Sequence, residues 1–347
     1  MNKKVLLGMS GGVDSSVSAV LLKERGYDVT GVTLNLFPCT SCCSYIDVKS
    51  LCRKIGVEHY ILDGKDDFKK YVIDDFIQSY DNCLTPNPCI ECNKYMKFGY
   101  MYKKAKELGC DYVATGHYAK VEYDEKYGKF VLRKSHAGRK DQSYVLWNIP
   151  KNMLEHVIFP LADFESKEKI REIAREHELP VANKPDSEDI CFIPDGDYKR
   201  FLEENSHIKP KPGNIILEDG TVVGKHTGLY HYTIGQRKGL GISYKVPLFV
   251  IGFNKKNNEL IVGEEHELYK KEVTIKDINL LLVDDIYKPL RVSVKTRYSS
   301  KEAGATATQI DDNTIKIVFD EPQARITPGQ SAVMYIDDIV VGGGKII

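Results

Sequence analysis

No stretch of this sequence is apolar for long enough to cross a bilayer: runs such as Val17 to Leu22 fall far short of the roughly 18 consecutive apolar residues a spanning helix needs. Met1 to Leu7 carries two lysines but no apolar signal-peptide core behind them, so a cytoplasmic protein without membrane attachment is expected. Neither charge is in excess, with 49 basic and 49 acidic residues, which removes any global electrostatic reason to expect a polyanionic partner. Such a partner has to be argued from local charge. Internal repeats and low-complexity tracts are also missing, which excludes solenoids and disordered arrays. What remains is 347 residues at 42% hydrophobic and 28% charged content, enough for two or three domains with separate cores.

Up to about residue 208, short apolar runs alternate with amphipathic helical patterns: Lys4–Leu7, Ser15–Arg25, Val29–Leu36, Val48–Ile55, His59–Leu62 and Tyr112–Thr115. This alternation predicts an α/β fold with a doubly wound parallel sheet. Beyond Pro210 the helical signal fades, and short β-branched runs appear between glycines, prolines and Asp/Asn turns, as in Leu248–Phe253, Val292–Tyr298 and Thr314–Phe319. Small β domains or barrels are expected there. Lys209–Pro212 reads as a linker, which gives expected units of 1–208, 209–275 and 276–347.

Val5-Leu6-Leu7 runs into Gly8-Met9-Ser10-Gly11-Gly12-Val13-Asp14-Ser15-Ser16 and then into an apolar helical pattern. Strand, glycine-rich loop and helix start together make an anion site, because backbone N–H groups, hydroxyls and the helix dipole all converge on one point. No Gly-Lys-Ser/Thr ends the loop and it is not Gly-x-Gly-x-x-Gly, so Walker and dinucleotide readings are disfavoured. Asp14 suits either Mg2+ binding or helix capping.

Nine cysteines without an export signal point to thiol or metal chemistry in a reducing compartment. Cys89 and Cys92 lie three apart where a proline-stiffened loop enters a helical stretch, a position that favours thiolate. Cys191 follows an acidic turn inside an apolar run; taken alone it reads as a buried small hydrophobe. Cys39, Cys42 and Cys43 form a further knot, read as reduced thiols of a loop, while Cys52, Cys83 and Cys110 read as packing residues. Between Gly220 and Asn258 there is no acidic residue, while Lys225, Arg237, Lys238, Lys245, Lys255 and Lys256 are interleaved with Tyr230, Tyr232, Tyr244 and two histidines. This suits phosphate contacts and base stacking. Lys94, Lys97, Lys103, Lys104 and Lys106 make a weaker candidate, read first as a solvated helix face.

The Ser-Gly-Gly-Val-Asp-Ser-Ser string resembles the PP-loop of ATP pyrophosphatases. Thr85-Pro86-Asn87-Pro88 through Cys92-Asn93-Lys94, Ala114-Thr115-Gly116-His117-Tyr118, Lys140-Asp141-Gln142-Ser143-Tyr144, Asp186-Ser187 through Ile190-Cys191-Phe192-Ile193, Tyr232 to Gly241 and Thr327-Pro328-Gly329-Gln330 follow in the order seen in the tRNA 2-thiouridylases, which the chain resembles nearly from end to end.

The resemblance implies a PP-loop domain followed by two mainly β domains, the last a barrel, and adenylation of a tRNA uridine with ATP and Mg2+ before sulfur replaces its oxygen. It further implies that Cys92 is the nucleophile and that Cys191 takes sulfur as a persulfide from a sulfur-relay protein or cysteine desulfurase. Gly8, Met9, Ser10, Gly11, Gly12, Val13, Asp14, Ser15, Ser16, Leu34 and Gly116 would frame ATP. Asn87, Pro88 and Cys89 would meet the target base, and His117, Lys140, Asp141, Gln142, Arg297, Tyr298 and Gln330 the RNA.

The family's pattern has Asp where this chain has Cys89. With Cys92 and Cys191, three thiolates are offered to a metal, so a 4Fe-4S cluster with one open iron stands beside the persulfide route as a sulfur carrier. Two other readings compete. An ammonia-dependent amide ligase of the PP-loop class would need no paired cysteines, and no glutaminase signature is present; a metal-stabilised RNA-binding protein would release no AMP.

Overall fold

The computed structural model describes residues 2–37, 45–185 and 190–347. Strands β1 (Lys4–Gly8), β2 (Asp28–Asn35), β3 (Glu58–Asp63) and β4 (Tyr112–Ala114) belong to a parallel sheet. A hairpin of β5 (Ala119–Asp124) and β6 (Lys129–Lys134) follows, and β7 (Val157–Ile158) completes the sheet in the order β3-β2-β1-β4-β7. Val5, Leu6 and Leu7 of the central strand are fully buried between covering helices, as continuous apolar runs in parallel sheets require. Each contributes about 1.5–3 kcal/mol relative to exposure.

Helix α1 (Val13–Glu24) lies against that sheet with almost every early position buried, serines included. Its small residues permit close approach, and the buried hydroxyls are satisfied within the helix: Ser16 Oγ donates to the Gly12 carbonyl at 2.7 Å and Ser18 Oγ to that of Asp14 at 2.8 Å. The sheet order changes direction between β1 and β4, so the crevice above their carboxyl ends is where an open α/β sheet takes its ligands.

The second half is β, as its composition predicts. Strands β8 (Gly213–Ile216), β9 (Val222–His226), β10 (Phe249–Asn254) and β11 (Glu259–Gly263) form a small sheet in the order β10-β11-β8-β9. Then β12 (Tyr269–Leu280), β13 (Leu290–Lys295), β14 (Ala303–Asp311), β15 (Thr314–Ala324), β16 (Ser331–Ile336) and β17 (Ile339–Ile346) close into a barrel, because β12 pairs with both β15 and β17. Closure removes exposed edges.

The β5–β6 hairpin does not join the parallel sheet. It extends the barrel instead, Ile339 of β17 pairing with Arg133 of β6, and Arg133 is ion-paired with Asp338, Glu122 and Asp124. One apolar core accordingly runs from Leu6 and Val113 of the first sheet through Trp147 to Val333, Tyr335 and Val340 of the barrel. The two ends of the chain are thereby fixed to each other.

Candidate active site

The loop between β1 and α1 has the conformation its sequence demands. Gly11 sits at φ +73°, which side-chain-bearing residues rarely adopt, and Gly12 caps the helix without a side-chain bond. Asp14 is not a cap. Its carboxylate accepts from the Tyr118 hydroxyl at 2.8 Å and pairs with the Lys167 ammonium at 2.7 Å, while Lys184 donates to the Gly11 carbonyl at 3.1 Å. Lys167 and Lys184 therefore bring two cations to an anion site that has no lysine in its own motif. Sequence reading missed both, since neither belongs to a local pattern that points to the loop.

Two neighbouring strand ends complete this region. Thr33 of β2 donates to the Met9 carbonyl at 2.7 Å, and Leu34 beside it packs on the aromatic cluster described below. After β4, Gly116 faces the start of α1 so closely that a Cβ there would lie 2.9 Å from the Asp14 carbonyl carbon and 3.0 Å from the Ser15 nitrogen. Its neighbour His117 is buried, with Nδ1 2.7 Å from the Thr115 hydroxyl and Nε2 3.4 Å from the Lys97 ammonium. Burial first, then Lys97, holds His117 well below the usual histidine range, so it is neutral at pH 7.

Asn87 starts the cysteine loop, its side chain accepting from the Cys89 N–H at 3.2 Å, and Pro88 takes the first helical position, where its missing donor costs nothing. The following segment, Cys92–Tyr100, is a π-helix with i→i+5 hydrogen bonding. In an α-helix, residues five apart point about 140° away from each other; here Lys97 is brought round toward Cys92. Lys97 consequently faces all three thiols and lowers the pKa of each, although it does not dominate any of them.

Burial dominates instead. It pushes Cys92 up to about 11 and Cys191 up to about 12, and it raises Cys89 as well. The thiolate expected from the helix start is therefore corrected: desolvation by the surrounding protein outweighs a four-residue helical turn, and the resting thiols are protonated. Cys92 is buried, while Cys89 and Cys191 retain surface open to solvent, as side chains lining a cleft do. The three feel one another electrostatically, so residues a hundred apart in sequence share one site. Phe192, next to Cys191, holds that segment in place by edge-on contacts with Phe68 and Phe76 at ring distances of 5.7 and 5.4 Å.

A metal cluster finds less support. Among the described residues no three His, Cys, Asp or Glu side chains converge as a ligand set, so the thiols are neighbours without forming the three-thiolate cradle that a 4Fe-4S cluster requires. Cys39, Cys42 and Cys43, like Asp186 and Ser187, lie outside the described residues. Cys52 is a fully buried packing residue, as read.

Comparison with known proteins gives the same picture. Residues 3–195 match the tRNA methyl transferase HUP domain model, 199–264 the PRC-barrel domain of that family and 270–346 an aminomethyltransferase β-barrel domain. The chain is 50% identical to the tRNA-specific 2-thiouridylase of Clostridioides difficile, covering 100% of this chain and 98% of that relative. It is 46% identical to the tRNA-specific 2-thiouridylase of Acetivibrio thermocellus, covering 99% of each. The chain belongs to the tRNA-specific 2-thiouridylase family. A solved 4-thiouridine synthetase in complex with RNA and ATP is 22% identical, covers 58% of this chain and 50% of that chain, and superposes with a TM-score of 0.38, too remote to bear on the site.

For a thiouridylase, the residues expected at the RNA divide into two groups. Tyr298 and Lys140 are exposed. Asp141 is buried, accepting from the Ser135 N–H and the Ser143 hydroxyl, and Gln142 accepts from the Tyr118 N–H; both shape the segment after β6. Arg297 donates to the Ile234 carbonyl and to Thr327, so it ties the barrel to the small sheet.

In the acid-free stretch all six cations are exposed, but Lys255 is answered by Asp81 at 3.0 Å. Tyr230 and Tyr232 are buried in cores and only Tyr244 stays open, so the expected interleaving of stacking rings reduces to one. Tyr230 fills the aromatic core beside Phe76 and Phe192, and Tyr232 the core of the small sheet. No helix among the described residues is long and apolar enough to cross a membrane.

Proposed function

We propose that this protein is a tRNA uridine 2-sulfurtransferase that uses ATP and Mg2+ to adenylate O2 of the wobble uridine and then replaces that oxygen with sulfur. The observation that carries this reading is the Thr115-Gly116-His117 segment. Gly116 abuts the phosphate loop, and His117 meets Lys97, which faces the thiols. Activation and sulfur delivery therefore open onto a single crevice.

In the first half-reaction, backbone N–H groups and hydroxyls from Gly8 to Ser16 hold the triphosphate, with Leu34 and Gly116 flanking the nucleotide. Uridine O2 attacks the α-phosphorus and pyrophosphate leaves. Lys167 and Lys184 offset the charge of the leaving group, and Asp14 is the carboxylate that would hold Mg2+, which would shield the triphosphate charge. Asn87, Pro88 and Cys89 border the target base, while Lys140, Tyr298 and the open cations around Arg237 meet the tRNA backbone.

In the second half-reaction, Cys191 carries a persulfide delivered by a sulfur-relay protein or cysteine desulfurase, which its open surface admits. The outer sulfur attacks C2, the C2–O bond breaks and AMP leaves, so that Cys191 is joined to the base through a disulfide. Cys92 gives up its proton to solvent and attacks the Cys191 sulfur, the bond to the base sulfur breaks, and 2-thiouridine is released with a Cys92–Cys191 disulfide left behind. An external thiol reductant supplies the two electrons that reset it.

Incubating the protein with tRNA, ATP, Mg2+ and a persulfide donor is expected to yield 2-thiouridine, AMP and pyrophosphate in equal amounts by nucleoside mass spectrometry and nucleotide analysis. Absence of AMP would reject adenylation and leave an RNA-binding protein. Iron-free protein is expected to be fully active; strict dependence on added iron would restore the cluster route.

A further inference from the structure

The cysteine loop is packed on the core of its own sheet through Ile90 and is also fastened to the C-terminal barrel. The Thr85 N–H donates to the Pro328 carbonyl at 2.9 Å, and the Gln330 side-chain amide donates to the Thr85 carbonyl at 2.8 Å. The fit is close: Gly329 has φ +90°, and a Cβ there would stand 2.7 Å from the Thr85 nitrogen. The strongest tether is ionic. Lys345, near the end of β17, reaches Glu91 at 2.9 Å and Asp75 at 3.3 Å.

Glu91 lies between Cys89 and Cys92 and is itself 6% exposed. A carboxylate buried to that degree is retained only with a partner, and Lys345 is the cation it meets. Behind the loop is a cavity of about 430 Å³ bordered by Asp75, Asn87, Glu91, Pro328 and Lys345. Ile90, 2% exposed, anchors the middle of the loop in the core, and toward the cavity the Glu91 side is held by the tethers that cross the gap.

We propose that Lys345 is a positioning residue for sulfur transfer: through Glu91 it sets where Cys92 stands, and the barrel thereby governs the second half-reaction far more than the first. Lys345 touches neither nucleotide loop nor thiol. The proposal rests on the function argued above, and its signature is uncoupling. With the tether cut, adenylation continues, while activated tRNA waits for a misplaced thiol and loses AMP to water.

The test uses the full chain with tRNA, ATP, Mg2+ and a persulfide donor, and compares wild type with Lys345→Met, Lys345→Arg and the double variant Glu91→Gln/Lys345→Met. Pyrophosphate released per 2-thiouridine formed is expected to rise about 10–100-fold in Lys345→Met, the loss that misplacing a reacting group brings. Lys345→Arg should restore the ratio to within about threefold, with KM for tRNA little changed in all variants.

The double variant buries no unpaired charge, so it decides the matter if Lys345→Met does not fold; it too should be uncoupled. An unchanged ratio in folded variants, a parallel fall of both products with raised KM for tRNA, or an unfolded double variant would each overturn the proposal. Wild type that makes no 2-thiouridine would defeat the proposed function instead.

Discussion

The nucleotide loop and the thiols are linked through Gly116 and His117 but are built by opposite means. The loop comes from nine consecutive residues, Gly8 to Ser16, whose glycines and serines settle its shape locally, with long-range partners added at the rim. The cleft has no local blueprint. Cys92 comes from a π-helix, Cys191 from a segment held by Phe68 and Phe76, and the loop carrying Cys89 is pinned by Pro328, Gln330 and Lys345 of the barrel. The lesson is that nucleotide binding here should fail through local damage, while sulfur transfer should fail through changes far away in sequence.

The largest separation is expected from the thiols. Cys92→Ala or Cys191→Ala should lower 2-thiouridine formation by at least about 10³-fold while tRNA-dependent pyrophosphate release persists, because removing a nucleophile leaves binding and electrostatic stabilisation intact. Equal loss of both products would break the comparison.

The complementary change is Gly116→Val, whose side chain would strike the backbone of Asp14 and Ser15. It should cut pyrophosphate release about 100-fold, with the reactivity of Cys92 toward iodoacetamide unaltered. A smaller effect, about tenfold in KM for ATP, is expected for Lys167→Met, which removes one cation from the loop and leaves Asp14 with Tyr118 alone.

Protonation gives a graded test. Because burial pushes Cys92 up to about 11 and Cys191 up to about 12, both are thiols at pH 7, and the thiolate fraction grows about tenfold per pH unit until those values are approached. Alkylation of Cys92, followed by peptide mass spectrometry, should therefore accelerate steadily from pH 7 to beyond pH 9. A plateau below pH 8 would show a preformed thiolate and favour the helix-start argument over desolvation. The smallest effect is expected from Gln330→Ala: loss of the hydrogen bond to Thr85 and the longer one to Pro86, about 1 kcal/mol, seen as a small fall in sulfur transfer without a change in KM for ATP.

The same contrast explains what was legible in the sequence. Alternating apolar runs gave the parallel sheet, and contiguous glycines and serines gave the loop, since both follow from short-range sterics and periodicity. The β5–β6 hairpin was not legible, because its place in the barrel depends on Arg133 meeting Asp338 and Ile339, far away in the chain. Lys97 read as one of several lysines on a solvated helix face; in the π-helix it meets His117, and its charge acts on the thiols.

Lys345 and Glu91 were invisible for a similar reason, since a pair separated by most of the chain length leaves no local mark. Tyr230 and Tyr232 were misjudged as stacking rings because composition cannot tell a face of a small sheet from its core.

The central claim, that the base oxygen is activated by ATP before sulfur arrives, is tested most directly with tRNA carrying ¹⁸O at O2 of the target uridine. Mass spectrometry of the AMP formed during thiolation is expected to show one ¹⁸O per molecule. Unlabelled AMP alongside 2-thiouridine would mean that the oxygen leaves by another route.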